Sequence, residues 1–168
     1  MIVLTILRKA RNFARRSRFE QAWFLPVWLL LGISRFVILF IPFRRLAPRL
    51  GIHSGITVWV PLIDSSQESK ALLIARVVQT AARFTPWVSN CFPQAVAARV
   101  LLGLYHVPYC IFFGLVRDPV NATMKAHAWV ASGKVSITGG LSFDQYTVVG
   151  CFVSPRLAAE MGLSTAGF

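Results

Sequence analysis

The chain is short of acid. Six Asp and Glu stand against eighteen Lys and Arg in 168 residues, a formal net charge of +12. So few carboxylates offer little to a two-carboxylate glycosidase site. Cysteine is scarce too: Cys91, Cys110 and Cys151 are odd in number and far apart, which excludes a disulfide framework or zinc knuckle and predicts a reducing compartment. His106 and Cys110 are separated by Val107–Pro108, which breaks a helix, so no metal or other cofactor is expected. There is no G-x-x-x-x-G-K-[ST], no G-x-G-x-x-G opening a helix, no G-x-S-x-G and no H-E-x-x-H, and the nucleotide and zincin readings lose their usual support. No internal repeat or low-complexity tract is visible.

What is present is apolar and unevenly basic. Fifty-five per cent of residues are hydrophobic and 14% charged, a composition that excludes disorder and raises the question of membrane contact. The length suits one domain. Ten of the eighteen basic residues precede Gly51, against the single acid Glu20; such a segment suits nucleic acid, anionic lipid or an acidic partner, and charge alone does not choose. From Ala22 to Phe43 the chain is long and apolar enough for a spanning helix. Arg35 interrupts it, at a cost of about 2.5–3.5 kcal/mol at a bilayer centre, and Pro26 and Pro42 bracket it. The long basic head and the lack of an A-x-A site fit a secretory signal poorly. The expectation is a hydrophobic helix packed on the domain or lying on a membrane surface.

Met1 to Glu20 reads as an amphipathic basic helix, and Ile52 to Leu62 as a short strand or extended linker. Asp64, Ser65 and Ser66 offer N-caps for a helix from about Gln67 to Phe84. A second helix opens at Asn90–Cys91, with Pro93 in its first turn, and runs to Leu104. The period then changes. Tyr109 to Arg117, Ala126 to Ala131, Lys134 to Thr138 and Thr147 to Val153 read as strands, with turns at Asp118–Pro119 and Ser132–Gly133. Helices first and strands last predict an α+β fold.

Two residues stand out for chemistry. A cysteine at a helix start sits where unpaired N–H groups and the dipole favour the nucleophilic thiolate, so Cys91 is a candidate nucleophile as well as a packing residue. His127, in the alternating strand Ala126-His127-Ala128-Trp129-Val130, is held on one face as a base or as a core histidine. Together they are the two parts of a thiol–imidazole pair on a papain-like α+β scaffold.

The segment Pro86-Trp87-x-x-Asn90-Cys91-Phe92-x-Gln94-Ala95, the helix to Leu104, Val107-Pro108, the strand with Gly114, then Ala126-His127-Ala128-Trp129-Val130 and Gly133, resembles the transglutaminase-like cysteine peptidases of lasso-peptide biosynthesis. The likeness is to the stand-alone peptidase half of a split B protein. It covers roughly residues 84–153, and Pro42-Phe43-Arg44-Arg45-Leu46 upstream adds to it. The resemblance implies a papain/transglutaminase-like fold, a basic and hydrophobic helical extension over 1–62 packed on a peptidase core over 63–168, and removal of the leader from a ribosomally made precursor, with Cys91 as nucleophile and His127 as base. It also implies a separate leader-binding protein, an ATP-dependent macrolactam cyclase, a cytoplasmic setting in which peripheral membrane contact stays open, and no nucleic acid.

One departure accompanies the likeness. The family's third catalytic residue, an Asp about a dozen positions after the His, would fall in Ile137-Thr138-Gly139-Gly140, which has no carboxylate. With a turn at Ser132–Gly133, Thr138 faces His127 across the ladder. Asp144 from the following loop, Thr138 or a backbone carbonyl is left to orient the imidazole, and Asp144 is the candidate third catalytic residue. A transglutaminase or acyltransferase using the same pair is the enzymatic alternative, because hydrolysis and aminolysis differ only in the nucleophile that reaches the thioester. A membrane-associated binding protein with structural Cys and His is the non-enzymatic one.

Overall fold

The computed structural model describes residues 11, 13–119, 121–140 and 143–163. Its helices are α1 (Arg18–Phe40), α2 (Phe43–Leu46), α3 (Ser65–Ala82), α4 (Cys91–Leu104) and α5 (Pro155–Glu160). Its strands are β1 (Ile52–His53), β2 (Cys110–Arg117), β3 (Met124–Ser132), β4 (Val135–Thr138) and β5 (Thr147–Val153). The strands form one antiparallel sheet in the order β1-β5-β2-β3-β4. The fold is α+β, with the large helices ahead of the sheet. Most of the basic head expected over Met1 to Glu20 lies outside the described residues.

Local chemistry explains the boundaries. Ser17 and Glu20 form a capping box that starts α1, and Asp64 and Gln67 form one that starts α3, so α3 begins two residues before the expected Gln67. Pro26 lies inside α1 rather than bracketing it. It faces solvent, and packing of the opposite face carries the helix through the missing N–H bond. Of the stretch 52–62, only Ile52–His53 is strand, paired with the end of β5, and Ser54 and Gly55 continue the contact by backbone bonds with Cys151.

The sheet turns two faces to two cores. Ile111, Ala128, Val130, Ile137 and Phe152 pack beneath Val27 and Leu31 of α1, Ile74 and Val78 of α3, and Ala95, Ala98 and Leu101 of α4. Cys110, Phe112, Trp129, Ala131, Cys151 and Val153 face the other way, towards Ala158 of α5. The β3–β4 turn corrects one expectation. It uses residues 133–134, so Ser132 pairs with Val135, and a bulge between Val130 and Ala131 brings Thr138 opposite Val130 rather than His127.

α1 docks by polar as well as apolar contacts. Trp23 Nε1 donates to Tyr105 Oη at 2.7 Å, Trp28 Nε1 to the Phe84 carbonyl at 3.1 Å, and Arg16 to Thr80 Oγ1 at 2.9 Å. Burial pushes the Glu20 carboxyl up, but hydrogen bonds from Ser17 and Arg16 outweigh it and hold the group below the ordinary carboxylate value. That contribution to α1 docking is present above the unfolded carboxylate pKa and is lost as pH falls through the lowered one.

The two faces of α1 predict opposite mutational outcomes. Leu31 is fully buried, whereas Leu29 is 50% exposed. In urea denaturation Leu31→Ala is expected to cost about 2–5 kcal/mol and Leu29→Ala no more than about 0.5 kcal/mol. Equal costs would mean that the outward face is covered.

Candidate active site

Cys91 is the first residue of α4, half-buried and with no disulfide partner. The preceding loop is held by local bonds. The Thr85 hydroxyl lies 3.0 Å from the Ala82 and Trp87 carbonyls and from Ser89 Oγ, and Gln94 Nε2 donates to the Ser89 carbonyl at 2.7 Å. Trp87 in this loop packs on Trp28 with ring centroids 4.6 Å apart. It also lies so close to Gly32 that an added Cβ there would come within 2.9 Å of the indole. The N-cap Asn90 makes no side-chain capping bond, so it leaves the first-turn N–H groups of α4 to other acceptors.

His127 sits on β3 opposite Gly114 of β2, where the β2–β5 pairing also shifts register. Strand alternation places it on the side of Trp129. Its ring stacks at 5.9 Å on Trp129 and packs at 5.0 Å on Tyr146. A Cβ on Gly114 would come within 2.8 Å of both the Trp129 ring and Tyr146 Cβ, so this close packing needs glycine there. His127 Nε2–H donates to the Gly139 carbonyl at 2.9 Å. A carbonyl can only accept, so the bond puts the proton on Nε2 and leaves the Nδ1 lone pair available in the neutral ring.

Cys91 lines a cavity of about 540 Å³, mostly apolar, together with Asn90, Leu115, Ala126, Ala128 and Val149. His127 borders the same cavity, but its ring lies with Trp129 on the face of the sheet turned away from α4. Phe43, Phe92, Phe113 and Phe152 surround the cavity and pack edge to face on one another, the Phe43–Phe113 centroids being 5.2 Å apart. Among the described residues no hydrogen bond joins the Cys91 thiol to the imidazole. His53 of β1 lines the same cavity, its ring 5.1 Å from that of Phe152. The chain gives no pattern around His53 that would have singled it out. Phe43 did carry a signal, in the Pro42-Phe43-Arg44-Arg45 run.

The other candidates lie elsewhere. Asp144 is exposed and lines a separate depression with Phe143, Gln145 and Tyr146. Thr138 is buried, and its hydroxyl has no hydrogen-bond partner. Cys110 and Cys151 are buried in neighbouring strands. A hydrogen bond with Cys151, then burial, pushes the Cys110 thiol up, away from a nucleophile at neutral pH.

Against known families, residues 37–151 match the model of the transglutaminase-like superfamily, described as Transglut_core3. The chain belongs to the transglutaminase-like superfamily. The match spans most of the chain and includes both Cys91 and His127. A transglutaminase-like domain points to cysteine-based peptidase or acyl-transfer chemistry, in which a thiol forms a thioester that water or an amine resolves. No curated protein and no solved structure matches the chain.

The transglutaminase-like site contains a glycine pair that can be tested separately. Gly139 and Gly140 both have left-handed φ, +78° and +71°, but a Cβ on Gly139 would lie 2.6 Å from Trp129 Cβ and 2.7 Å from the Ala128 carbonyl, whereas one on Gly140 would meet nothing. Gly140→Ala is expected to cost about 1–2 kcal/mol for the backbone conformation alone. Gly139→Ala should cost at least about 3 kcal/mol by displacing Trp129. Urea denaturation compares the two, and near-ultraviolet circular dichroism should change for Gly139→Ala alone.

Proposed function

We propose that the protein is a leader peptidase of lasso-peptide biosynthesis, with Cys91 as nucleophile and His127 as acid and base. The observation that carries this reading is Cys91 at the start of α4, half-buried at an apolar cavity, within a transglutaminase-like domain that also holds His127 with Nε2 engaged by a carbonyl. The motif likeness around both residues supplies the substrate class. The His127 ring and the Cys91 thiol lie on opposite faces of the sheet, so in this reading their engagement requires β3 to rearrange when substrate binds.

The Cys91 thiolate attacks the carbonyl carbon at the end of the leader. The oxyanion is stabilised by helix-start N–H groups, that of Cys91 among them. Collapse breaks the C–N bond, and the core peptide leaves as an amine carrying a proton from His127. The leader remains as a thioester on Cys91. Water, deprotonated by His127, then attacks the thioester to release the leader carboxylate and the thiolate. The Gly139 carbonyl is the positioning group for the imidazole, and Asp144 is supplementary. A separate leader-binding protein presents the precursor, and the freed core passes to an ATP-dependent macrolactam cyclase.

Mass spectrometry of a lasso precursor incubated with the enzyme and its leader-binding protein tests this. Cleavage is expected with Cys110→Ala, Cys151→Ala and His53→Ala and is abolished in Cys91→Ala and His127→Ala. Asp144→Ala should be impaired less than His127→Ala. The leader mass separates the classes, since hydrolysis leaves a free carboxyl and transfer leaves an added amine. Full cleavage by Cys91→Ala sinks the assignment, and loss in His53→Ala with retention in His127→Ala moves the base to His53. Without any substrate, iodoacetamide at neutral pH should label Cys91 well ahead of Cys110 and Cys151.

A further inference from the structure

We propose that the outward face of α1 seats the protein on an anionic lipid bilayer, with the helix lying in the interface rather than crossing it. After the exposed Arg18 and Gln21 of its first turn, the solvent-facing positions along α1 are Ala22, Leu25, Pro26, Leu29, Ile33, Phe36, Leu39 and Phe40, every one apolar. The larger side chains among them are 50–70% exposed. At 1.5 Å per residue this stripe runs about 27 Å, far more contiguous apolar surface than scattered exposed residues present.

The opposite face of the helix excludes a crossing. Val27 and Leu31 are fully buried against α3 and α4, so a spanning α1 would draw those helices, including exposed Arg76, into hydrocarbon. Such a helix, apolar outward and anchored inward, fits the boundary between headgroups and acyl chains.

Charge selects the occupant. Exposed Arg15 and Arg18 flank one end of the stripe, and exposed Arg44, Arg45 and Arg49 the other. Glu20, the single acid in the first 50 residues, is buried and paired with Arg16 at 2.9 Å. The rim therefore presents cations with no exposed acid among them, the complement of anionic headgroups. A second copy is disfavoured by the same arrangement, because parallel and antiparallel pairing of two α1 helices both bring basic ends together. Phe43, next along this surface, also lines the Cys91 cavity, so the seated face continues to the rim of the site.

Flotation of the full-length protein with phosphatidylcholine vesicles, with and without about 30% phosphatidylglycerol, tests the proposal. Binding is expected to anionic vesicles, to fall at least about tenfold on pure phosphatidylcholine and to weaken with salt as screening grows. Alkaline carbonate should release the protein. Leu29→Gln combined with Ile33→Gln and Phe36→Gln is expected to retain the wild-type circular dichroism and lose at least about tenfold in binding, while Leu72→Gln on α3 changes nothing. Binding undiminished in the triple variant, resistance to carbonate, or no vesicle binding overturns the proposal. So does dimerisation or capture of the leader-binding protein through this face in place of lipid. The assay reads no cleavage, so its failure leaves the peptidase reading standing, and the reverse holds.

Discussion

Cys91 is placed by the alanines behind it. Ala95, Ala97 and Ala98 of α4 are fully buried and share one core with Ala128, Val130 and Ile137 of the sheet. Small side chains allow a helix backbone to lie close to a sheet, and larger ones there would force the two apart. The first turn of α4 can line a cavity together with Phe113, Ala126 and Ala128 of the sheet because of this close approach. Gln94 and Thr85 then fix the chain entering the helix. The thiol is thus positioned by core packing along the length of α4, and its exposed surroundings add little.

α1 serves this arrangement from the other side. Its inward stripe closes the core over α3 and α4, and Trp28 and Gly32 hold Trp87, four residues before Cys91. A helix whose two faces are both apolar is ordinarily buried all round, yet here one face is left in water. The pattern separates two demands on one segment, since inward residues set the geometry of the site and outward residues are free of that duty.

The sequence made most elements legible because their start signals are chemical. Asp64 and Pro93 mark the two core helices, and β-branched and aromatic alternation marks β2, β3 and β5. Transglutaminase-like membership was readable from the order of Cys91, His127 and Trp129. What escaped was register. A two-residue turn at 133–134 and a bulge between Val130 and Ala131 differ from the expected ladder by small local choices, and such slips change every facing pair. They moved Thr138 from His127 to Val130. The aromatic wall of the cavity escaped for another reason: Phe43, Phe92, Phe113 and Phe152 come from four separate elements, and no local spacing links them. His53 reaches the cavity through a two-residue strand, too short to leave a periodic signature.

Gly139 ties register to chemistry. It lies twelve residues after His127, in the stretch where a third catalytic Asp was expected, and its carbonyl meets His127 Nε2. Glycine allows this because the backbone there has φ of +78° and runs against Trp129 with no room for a Cβ. A carboxylate would both orient an imidazole and attract the imidazolium that forms when the ring takes a proton. A carbonyl orients the ring and fixes its tautomer but carries no charge and does not titrate. In the peptidase reading, this carbonyl therefore supplies orientation alone, and stabilisation of the protonated ring falls to other groups.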